Sequence, residues 1–96
     1  MEEYLAEASK LLEKVAELTR EEKRILAYFV ENISVGELRA VKELKQIGIG
    51  NPQTGIRKLV TLGLLEEGRE SYSLAKPLRT YIAKRGKTQI LNMLAT

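Results

Sequence analysis

The stretch GIGNPQTGIRKLV, Gly48 to Val60, places Gly50 and Gly55 at the spacing of the glycines in a phosphate-binding loop. Such a loop continues with a lysine and then a serine or threonine, but Ile56 and Arg57 stand at those two positions. The preceding residues have the apolar period of a helix, whereas the nucleotide-binding motif follows a strand. No third glycine stands where a dinucleotide-binding motif needs one. The glycines therefore predict a turn and not a nucleotide site.

A helix with one polar face is predicted after this turn. Asn51 is a typical N-cap, Pro52 suits the first helical position, and Gly63 is expected to stop the helix after Leu62. The outer face carries amides, hydroxyls and cations, the groups with which a helix binds bases in the DNA major groove; a merely solvated face is the alternative. The side chains on this face are Gln53, Thr54, Arg57, Lys58 and Thr61.

The individual side chains of this helix suit different contacts. Arg57 can bind guanine through two hydrogen bonds and Gln53 can bind adenine, while the two threonines suit phosphates or a thymine methyl group. Gly55 carries a helix-propensity cost of about 1 kcal/mol relative to alanine. We therefore expect a close approach at Gly55, either of the third helix or of a sugar-phosphate backbone.

Two capping boxes predict where earlier helices begin. Thr19 with Glu22 starts the second helix, which fades near residue 32, and Ser34 with Glu37 starts the third, which runs to the turn. The apolar residues expected along one face of the third helix are Leu38, Val41 and Leu44.

The segment after the helix predicts a β-hairpin and two further helices. Leu65, Tyr72 and Leu74 alternate with polar residues on either side of a tip at residues 68–70. Pro77 begins a fifth helix, and a short sixth helix covers residues 88–95. The chain is therefore predicted to be a single domain of residues 1–96, mainly α with a small β-hairpin (α+β).

Helix, turn, helix and hairpin occur here in a recognisable order. The stretch VKELKQIGIGNPQTGIRKLVTLGLLEEGRESYSL resembles the winged helix-turn-helix family of DNA-binding proteins, of the small archaeal or thermophilic transcription-regulator type. The resemblance covers about residues 20–85. The residues that carry it are Val41, Leu44, Gly48, Ile49, Ile56, Leu59, the run 62–65 and the strand 70–74.

The resemblance implies a helix-turn-helix at residues 35–62 and a wing at residues 64–75. It implies that the recognition helix is residues 52–62 and that Arg69, at the tip of the wing, contacts phosphate or the minor groove. Two features depart from the family pattern: the turn is about one residue longer, and three glutamates accompany Arg69 in the wing. Those glutamates would repel phosphate, so pairing of Arg69 with a neighbouring glutamate is the alternative.

Composition limits the chemistry of the chain. It contains no histidine and no cysteine, which removes the usual general base and the usual metal ligands, so we expect neither catalysis nor a metal or other cofactor. No apolar run approaches the roughly 18 residues of a membrane span, and the acidic amino terminus is unlike a signal peptide. We expect a cytoplasmic, nucleoid-associated protein.

Basic residues concentrate in the second half of the chain. Residues 49–96 contain eight basic and three acidic side chains, which suggests a polyanionic partner. Lys76 and Arg79, followed by Lys84, Arg85 and Lys87, could bind phosphates without sequence specificity; favourable charge at a helix end is the alternative.

The outer helices predict self-association. Apolar residues of the extra amino-terminal helix, residues 1–18, are spaced alternately by four and three residues, which suits a partner helix or packing on its own domain. With the apolar carboxy-terminal helix within residues 77–95, they favour a homodimer whose two recognition helices lie about one DNA turn apart. The spaced residues are Tyr4, Ala8, Leu11, Val15 and Leu18.

Two functions follow from these patterns. The first is a dimeric transcriptional regulator or nucleoid-type protein that binds double-stranded DNA through residues 52–62. The alternative is a winged-helix module that binds a protein partner, as a small accessory subunit of a replication or transcription complex. The basic second half favours DNA, whereas the acidic wing and the additional apolar helices favour a protein.

Overall fold

The computed structural model describes residues 3–95. Met1, Glu2 and Thr96, which the predicted domain of residues 1–96 includes, lie outside the described residues. The predicted mainly helical α+β fold is confirmed, since six α-helices and a small antiparallel sheet make up the described part. In chain order the elements are α1 (Glu3–Glu13), a 3-10 turn (Lys14–Glu17), α2 (Arg20–Glu31), β1 (Ser34–Gly36), α3 (Glu37–Gln46), α4 (Pro52–Thr61), β2 (Leu65–Gly68), β3 (Ser71–Leu74), α5 (Lys76–Arg85) and α6 (Thr88–Leu94).

Side-chain caps fix the starts of α2 and α4. The predicted capping box begins α2: the Thr19 hydroxyl accepts from the Glu22 N–H at 3.1 Å, and the Glu22 carboxylate accepts from the Thr19 N–H at 2.9 Å. The Asn51 side chain accepts from the Thr54 N–H at 3.4 Å and caps α4, with Pro52 in the first turn. These predictions are confirmed.

The predicted capping box at Ser34 and Glu37 is wrong. Ser34 belongs instead to β1, and the N-cap of α3 is Gly36, which has no side chain to form a cap bond. Strand β1 pairs antiparallel with β3, so that Val35 lies opposite Tyr72 and the sheet order is β1-β3-β2. Because Val35 is the only buried residue of a three-residue strand, no alternating pattern announces β1 in the sequence.

The predicted hairpin is confirmed. Strands β2 and β3 pair antiparallel, with Leu65 opposite Leu74 and Gly68 opposite Ser71. At the tip, Glu70 adopts a left-handed conformation with φ 58°, a backbone region that non-glycine residues seldom enter. The Glu70 carbonyl accepts from the N–H of Glu37, which ties the hairpin tip to the start of α3.

Helix α4 is held against α2 by a close approach at Gly55. A methyl group at this position would overlap the Cδ1 atom of Ile25, a side chain that is fully buried. The predicted close approach at Gly55 is present, but its neighbour is α2 rather than the third helix. Without a side chain here, α4 lies close enough to α2 for Ile56 and Leu59 to be buried, and its opposite side faces solvent.

The outer helices pack within the same chain. Helix α1 packs against α5, and α6 packs against α2. Ala8, Val15 and Leu18 of the spaced stripe are buried, and Leu11 packs against the same core. Most of the apolar surface on which the predicted homodimer rested is therefore already used inside the protomer.

Candidate interaction surfaces

Helix α4 presents a continuous polar face to solvent. The helix buries Gly55, Ile56 and Leu59 against the core, and turns the opposite side outward. All five residues predicted for this face are exposed and lie together. We call this group the α4 face: Gln53, Thr54, Arg57, Lys58 and Thr61.

The two cations of the α4 face have different surroundings. Lys58 Nζ lies 4.0 Å from the carboxylate of Glu22, so its charge is partly balanced within the fold. Arg57 forms no ion pair with any residue of the described range 3–95. Burial raises the pKa of the Tyr72 hydroxyl, the carboxylates of Glu37 and Glu67 raise it further, and Arg57 lowers it. Arg57 therefore offsets part of the effect that the two carboxylates have on the pKa of Tyr72.

Arg69, predicted to contact DNA from the wing, lies in the tight turn between β2 and β3. Its side chain is exposed and has no ion pair in the described part of the chain. The alternative considered from the sequence, pairing with a neighbouring glutamate, does not occur among these residues. Arg69 therefore stays accessible beside Glu67 and Glu70, whose charges oppose an approaching phosphate.

Lys76 and Arg79, predicted as phosphate contacts, face β2. Arg79 Nη2 lies 3.1 Å from Oε1 of Glu66, and the backbone N–H of Lys76 donates to Oε2 of the same carboxylate at 2.8 Å. The Arg79 Nε atom is buried without a hydrogen-bond partner in the described structure. Glu66 thus joins β2 to the start of α5, and Arg79 is occupied by that contact.

Leu38 is the residue for which the sequence prediction was most clearly wrong. It was expected along one face of α3 with Val41 and Leu44, yet it is 87% exposed, while Ala40 and Leu44 are fully buried. Leu38 and Leu44 are six positions apart, which places them about 120° apart around a helix, whereas Ala40 and Leu44 are about 40° apart and share one face. The four-residue spacing of Ala40 and Leu44 is the signal that could have identified the inner face. It is a weak signal, because the alanine side chain is small.

Leu38 shares a shallow depression with two carboxylates and one cation. Glu37, Leu38, Arg39 and Glu70 line this depression beside Gly36. Glu67 lies opposite Tyr72 in the β2–β3 pairing, and Val35, just before α3, lies opposite Tyr72 in the β1–β3 pairing. Within residues 3–95, none of these three glutamates forms an ion pair. We call this group the Leu38 surface: Glu37, Leu38, Glu67 and Glu70.

A hydrogen-bonded chain holds α3 against α2 behind this surface. Arg39 Nε lies 3.1 Å from Oε2 of Glu43, and the Tyr28 hydroxyl donates to the other oxygen of that carboxylate. The hydrogen bonds from Tyr28 and then Arg39 lower the pKa of Glu43. Burial and the Glu43 carboxylate raise the pKa of Tyr28 to about 12. Arg39, which also lines the depression at Leu38, therefore pairs with Glu43 rather than with Glu37 or Glu70.

A second exposed apolar residue lies at the other end of α3. Ile47 is 49% exposed and lines a shallow groove with Ala27 and Tyr28 of α2. Arg24 closes one end of the groove and donates a hydrogen bond to the Ile47 carbonyl. The groove has no excess of one charge, since one cation, Arg24, and one carboxylate, Glu31, line it.

Neither a metal site nor a membrane span is found in the described residues. No group of three or more acidic side chains in residues 3–95 is arranged to hold a metal ion. The same range has no helix long and apolar enough to cross a membrane.

Comparison with known proteins favours the second of the two functions suggested by the sequence. Residues 19–80 match the family model of PolB1 Binding Protein 2, a range that covers more than half of the chain. The chain belongs to the PolB1 Binding Protein 2 family. No curated protein matches it. The predicted membership of a winged helix-turn-helix regulator family, and with it the prediction of transcription regulation, is therefore wrong.

The range that matches PolB1 Binding Protein 2 contains both surfaces described above. It begins at the N-cap of α2 and ends within α5, so that α3, α4 and the whole sheet belong to it. Helices α1 and α6 lie outside it. The sequence led to the wrong family because a helix, a glycine turn, a polar helix and a hairpin have the same local signals whether the exposed helix meets DNA or a protein.

Proposed function

We propose that this protein is a non-catalytic accessory subunit that binds a DNA polymerase of the B1 type. The observation that carries the proposal is the family match over residues 19–80, since the name of the family describes binding to PolB1. The absence of histidine and cysteine from the sequence supports a role in binding rather than catalysis. This is the accessory-subunit function that the sequence left open as the alternative.

The surface chemistry supports a protein partner. Leu38 is almost fully exposed at the start of α3, and apolar side chains at the centre of a surface patch favour contact with protein. The neighbouring Glu37, Glu67 and Glu70 carry negative charge that would repel a nucleic-acid backbone. A protein surface can supply both the apolar contact and the opposite charge.

The order of elements suggests how the fold serves this role. Helices α3 and α4 with the hairpin of β2 and β3 have the order of a winged helix-turn-helix, with β1 completing the sheet. We assign the chain this arrangement, put to use in protein contact, because a fold alone does not fix a function.

A second role, contact with duplex DNA held by the polymerase, is favoured by the α4 face. Arg57 is exposed and forms no ion pair in residues 3–95, and the face itself carries no acidic residue. We propose that the five residues of the α4 face, with Arg69 and Lys76 at the periphery, contact this DNA. Arg79 is left out because it is paired with Glu66.

Co-elution with the polymerase tests the main proposal. The purified chain is mixed with the cognate DNA polymerase B1 at micromolar concentration and passed through size exclusion with light scattering. We expect a complex heavier than the polymerase by one chain of 10.8 kDa, because the packing of α1 and α6 inside the protomer leaves little apolar surface for a second copy. A polymerase peak of unchanged mass, with the small protein eluting separately, would contradict the proposal.

A further inference from the structure

We propose that the Leu38 surface is where this protein docks on the polymerase, and that its occupant is an apolar pocket bordered by lysine or arginine side chains. The inference rests on the proposed function, and adds to it the site on this chain and the chemistry of the partner.

The exposure of Leu38 is the first step. A single exposed leucine is ordinary on a protein surface and would carry nothing alone. Leu38, however, is 87% exposed at the start of a helix whose backbone is fixed on both sides, by the β1–β3 pairing and by the Tyr28–Glu43–Arg39 contacts. The side chain is therefore presented from a rigid support, so that little conformational freedom is lost when a partner covers it.

The distribution of unpaired carboxylates is the second step. Residues 19–80 contain eight glutamates, of which four form ion pairs within the fold: Glu22, Glu31, Glu43 and Glu66. Three of the four that remain, Glu37, Glu67 and Glu70, belong to the Leu38 surface. Because four of the eight glutamates are paired within the fold and three of the unpaired ones lie together here, this local negative charge is available to a partner of the opposite sign.

Charge also separates the possible occupants. A second copy of the chain, docked through the same patch, would bring two sets of carboxylates together around the two leucines. A DNA backbone would meet the same repulsion, and it offers no pocket for Leu38. A protein pocket with basic residues at its border satisfies both the apolar centre and the negative rim, which is the usual arrangement of a buried anchor inside a polar rim.

Two cations of neighbouring elements, Arg57 and Arg69, form no ion pair in residues 3–95, whereas Arg39, which lines the depression with Leu38, pairs with Glu43. Arg57 acts on the same Tyr72 hydroxyl as Glu37 and Glu67, and belongs to the α4 face. Arg69 precedes Glu70 in the turn of the hairpin. The three carboxylates form no ion pair with Arg39, Arg57 or Arg69, so no cation of residues 3–95 is paired with their charge.

Binding measurements on matched variants test the inference. The full chain, labelled at a site distant from α3, is titrated with the cognate DNA polymerase B1, and the Kd is measured over a salt series. Leu38→Ala is compared with Ile47→Ala, the other exposed apolar residue of this segment. The double variant Glu67→Lys/Glu70→Lys is compared with Glu21→Lys, which reverses a glutamate that is also unpaired in the described residues but lies on α2. A thermal melt of each variant confirms that it folds.

The expected results differ for each pair. Leu38→Ala should raise the Kd at least tenfold and Ile47→Ala less than twofold. The double charge reversal should raise the Kd at least tenfold at low salt and reduce its salt dependence, whereas Glu21→Lys should change it less than twofold. If the unsubstituted chain binds and both Leu38→Ala and Glu67→Lys/Glu70→Lys bind with the same Kd as that chain, the inference is overturned while the proposed function stands.

Two other outcomes also decide against the inference. If the unsubstituted chain shows no binding to the polymerase, the proposed function and the docking surface fail together. If Ile47→Ala weakens binding as much as Leu38→Ala, or if Leu38→Ala instead dissociates a dimer of the chain, the Leu38 surface is not the specific site for the polymerase.

Discussion

The α4 face and the Leu38 surface differ in which charges the fold leaves unpaired within residues 3–95. On the α4 face the unpaired charge is the Arg57 cation, surrounded by amides and hydroxyls. On the Leu38 surface the unpaired charges are carboxylates, and an exposed leucine stands among them. The first combination suits a nucleic-acid backbone, and the second suits a protein.

Net charge alone does not reveal this difference. The second half of the chain is strongly basic, yet Arg79, Lys58 and Lys87 are each matched with a glutamate in the fold. What remains for a partner is decided by these contacts rather than by composition. The two proposals together predict a subunit that contacts both the polymerase and the DNA held by it.

The close contact between α4 and α2 at Gly55 is where a substitution should have the largest effect. We expect Gly55→Val to lower the free energy of unfolding by about 1–3 kcal/mol, because the new side chain overpacks against the buried Ile25. Thermal and urea unfolding measure the change. Thr54→Val, which places the same residue one position away on the exposed side, should change stability much less. Equal stability of the Gly55 variant would show that the Ile25 side chain or the two helices can shift without cost, and would contradict this prediction.

Removal of the Arg57 cation from the α4 face should give the next largest effect. Arg57→Ala should weaken binding of duplex DNA by roughly tenfold at low salt, about 1.4 kcal/mol, and should leave the polymerase Kd unchanged. The salt dependence of DNA binding should also fall, because one phosphate contact is lost. Fluorescence anisotropy with labelled DNA provides the measurement.

Leu38→Ala serves as the reciprocal control for that experiment. It should leave the DNA affinity unchanged, because Leu38 lies outside the α4 face. If both variants weakened both partners, the two surfaces would form one interface, and the distinction between them would be lost.

The sequence predicted the elements with strong local signals and missed those that depend on distant partners. The Thr19 capping box, the Asn51-Pro52 helix start and the hairpin were found because each is encoded within a few residues. Strand β1 was missed because its pairing partner, Ser71–Leu74, is remote in sequence. The Ser34–Glu37 spacing imitates a cap, and only the pairing with β3 excludes it.

The candidate site was predictable to a similar degree. The residues of the α4 face follow from helical periodicity, and all five are exposed together. The exposure of Leu38 was missed because three apolar residues were assigned to one face, although Ala40 and Leu44 complete the buried side. The occupation of Arg79 by Glu66 also escaped prediction, since an ion pair across ten or more positions leaves no local pattern. The family itself was predicted wrongly, because the local pattern of α3, α4 and the hairpin is compatible with either kind of partner.

The rigid attachment of α3 to α2 can be weakened through Tyr28. We expect Tyr28→Phe to lower the free energy of unfolding by about 0.5–1.5 kcal/mol, the usual net contribution of one hydrogen bond. The pKa of Tyr28 is raised to about 12 in the folded protein, from 10.0, so its contribution is complete below pH 10 and is lost as the pH rises towards 12. Urea unfolding at several alkaline pH values should therefore show a smaller loss of stability in Tyr28→Phe than in the unsubstituted chain.

The polymerase Kd provides the control for this variant. Since Tyr28 does not belong to the Leu38 surface, any loss of affinity would come from a less rigid α3. An unchanged pH dependence of unfolding in Tyr28→Phe would contradict the role given to the Tyr28–Glu43 hydrogen bond.

The smallest effect is expected at Arg79, which belongs neither to the α4 face nor to the Leu38 surface. Because its ion pair with Glu66 is partly exposed, we expect a coupling energy of about 0.2–1 kcal/mol between Arg79→Ala and Glu66→Ala in a double-mutant cycle of thermal unfolding. DNA affinity and its salt dependence should stay unchanged in Arg79→Ala, because the guanidinium is used to join β2 to α5. Lys76→Ala is the matched comparison, since only its backbone N–H takes part in that contact. A clear loss of DNA affinity in Arg79→Ala would return this residue to the DNA contacts predicted from the sequence, and would extend the basic surface beyond α4.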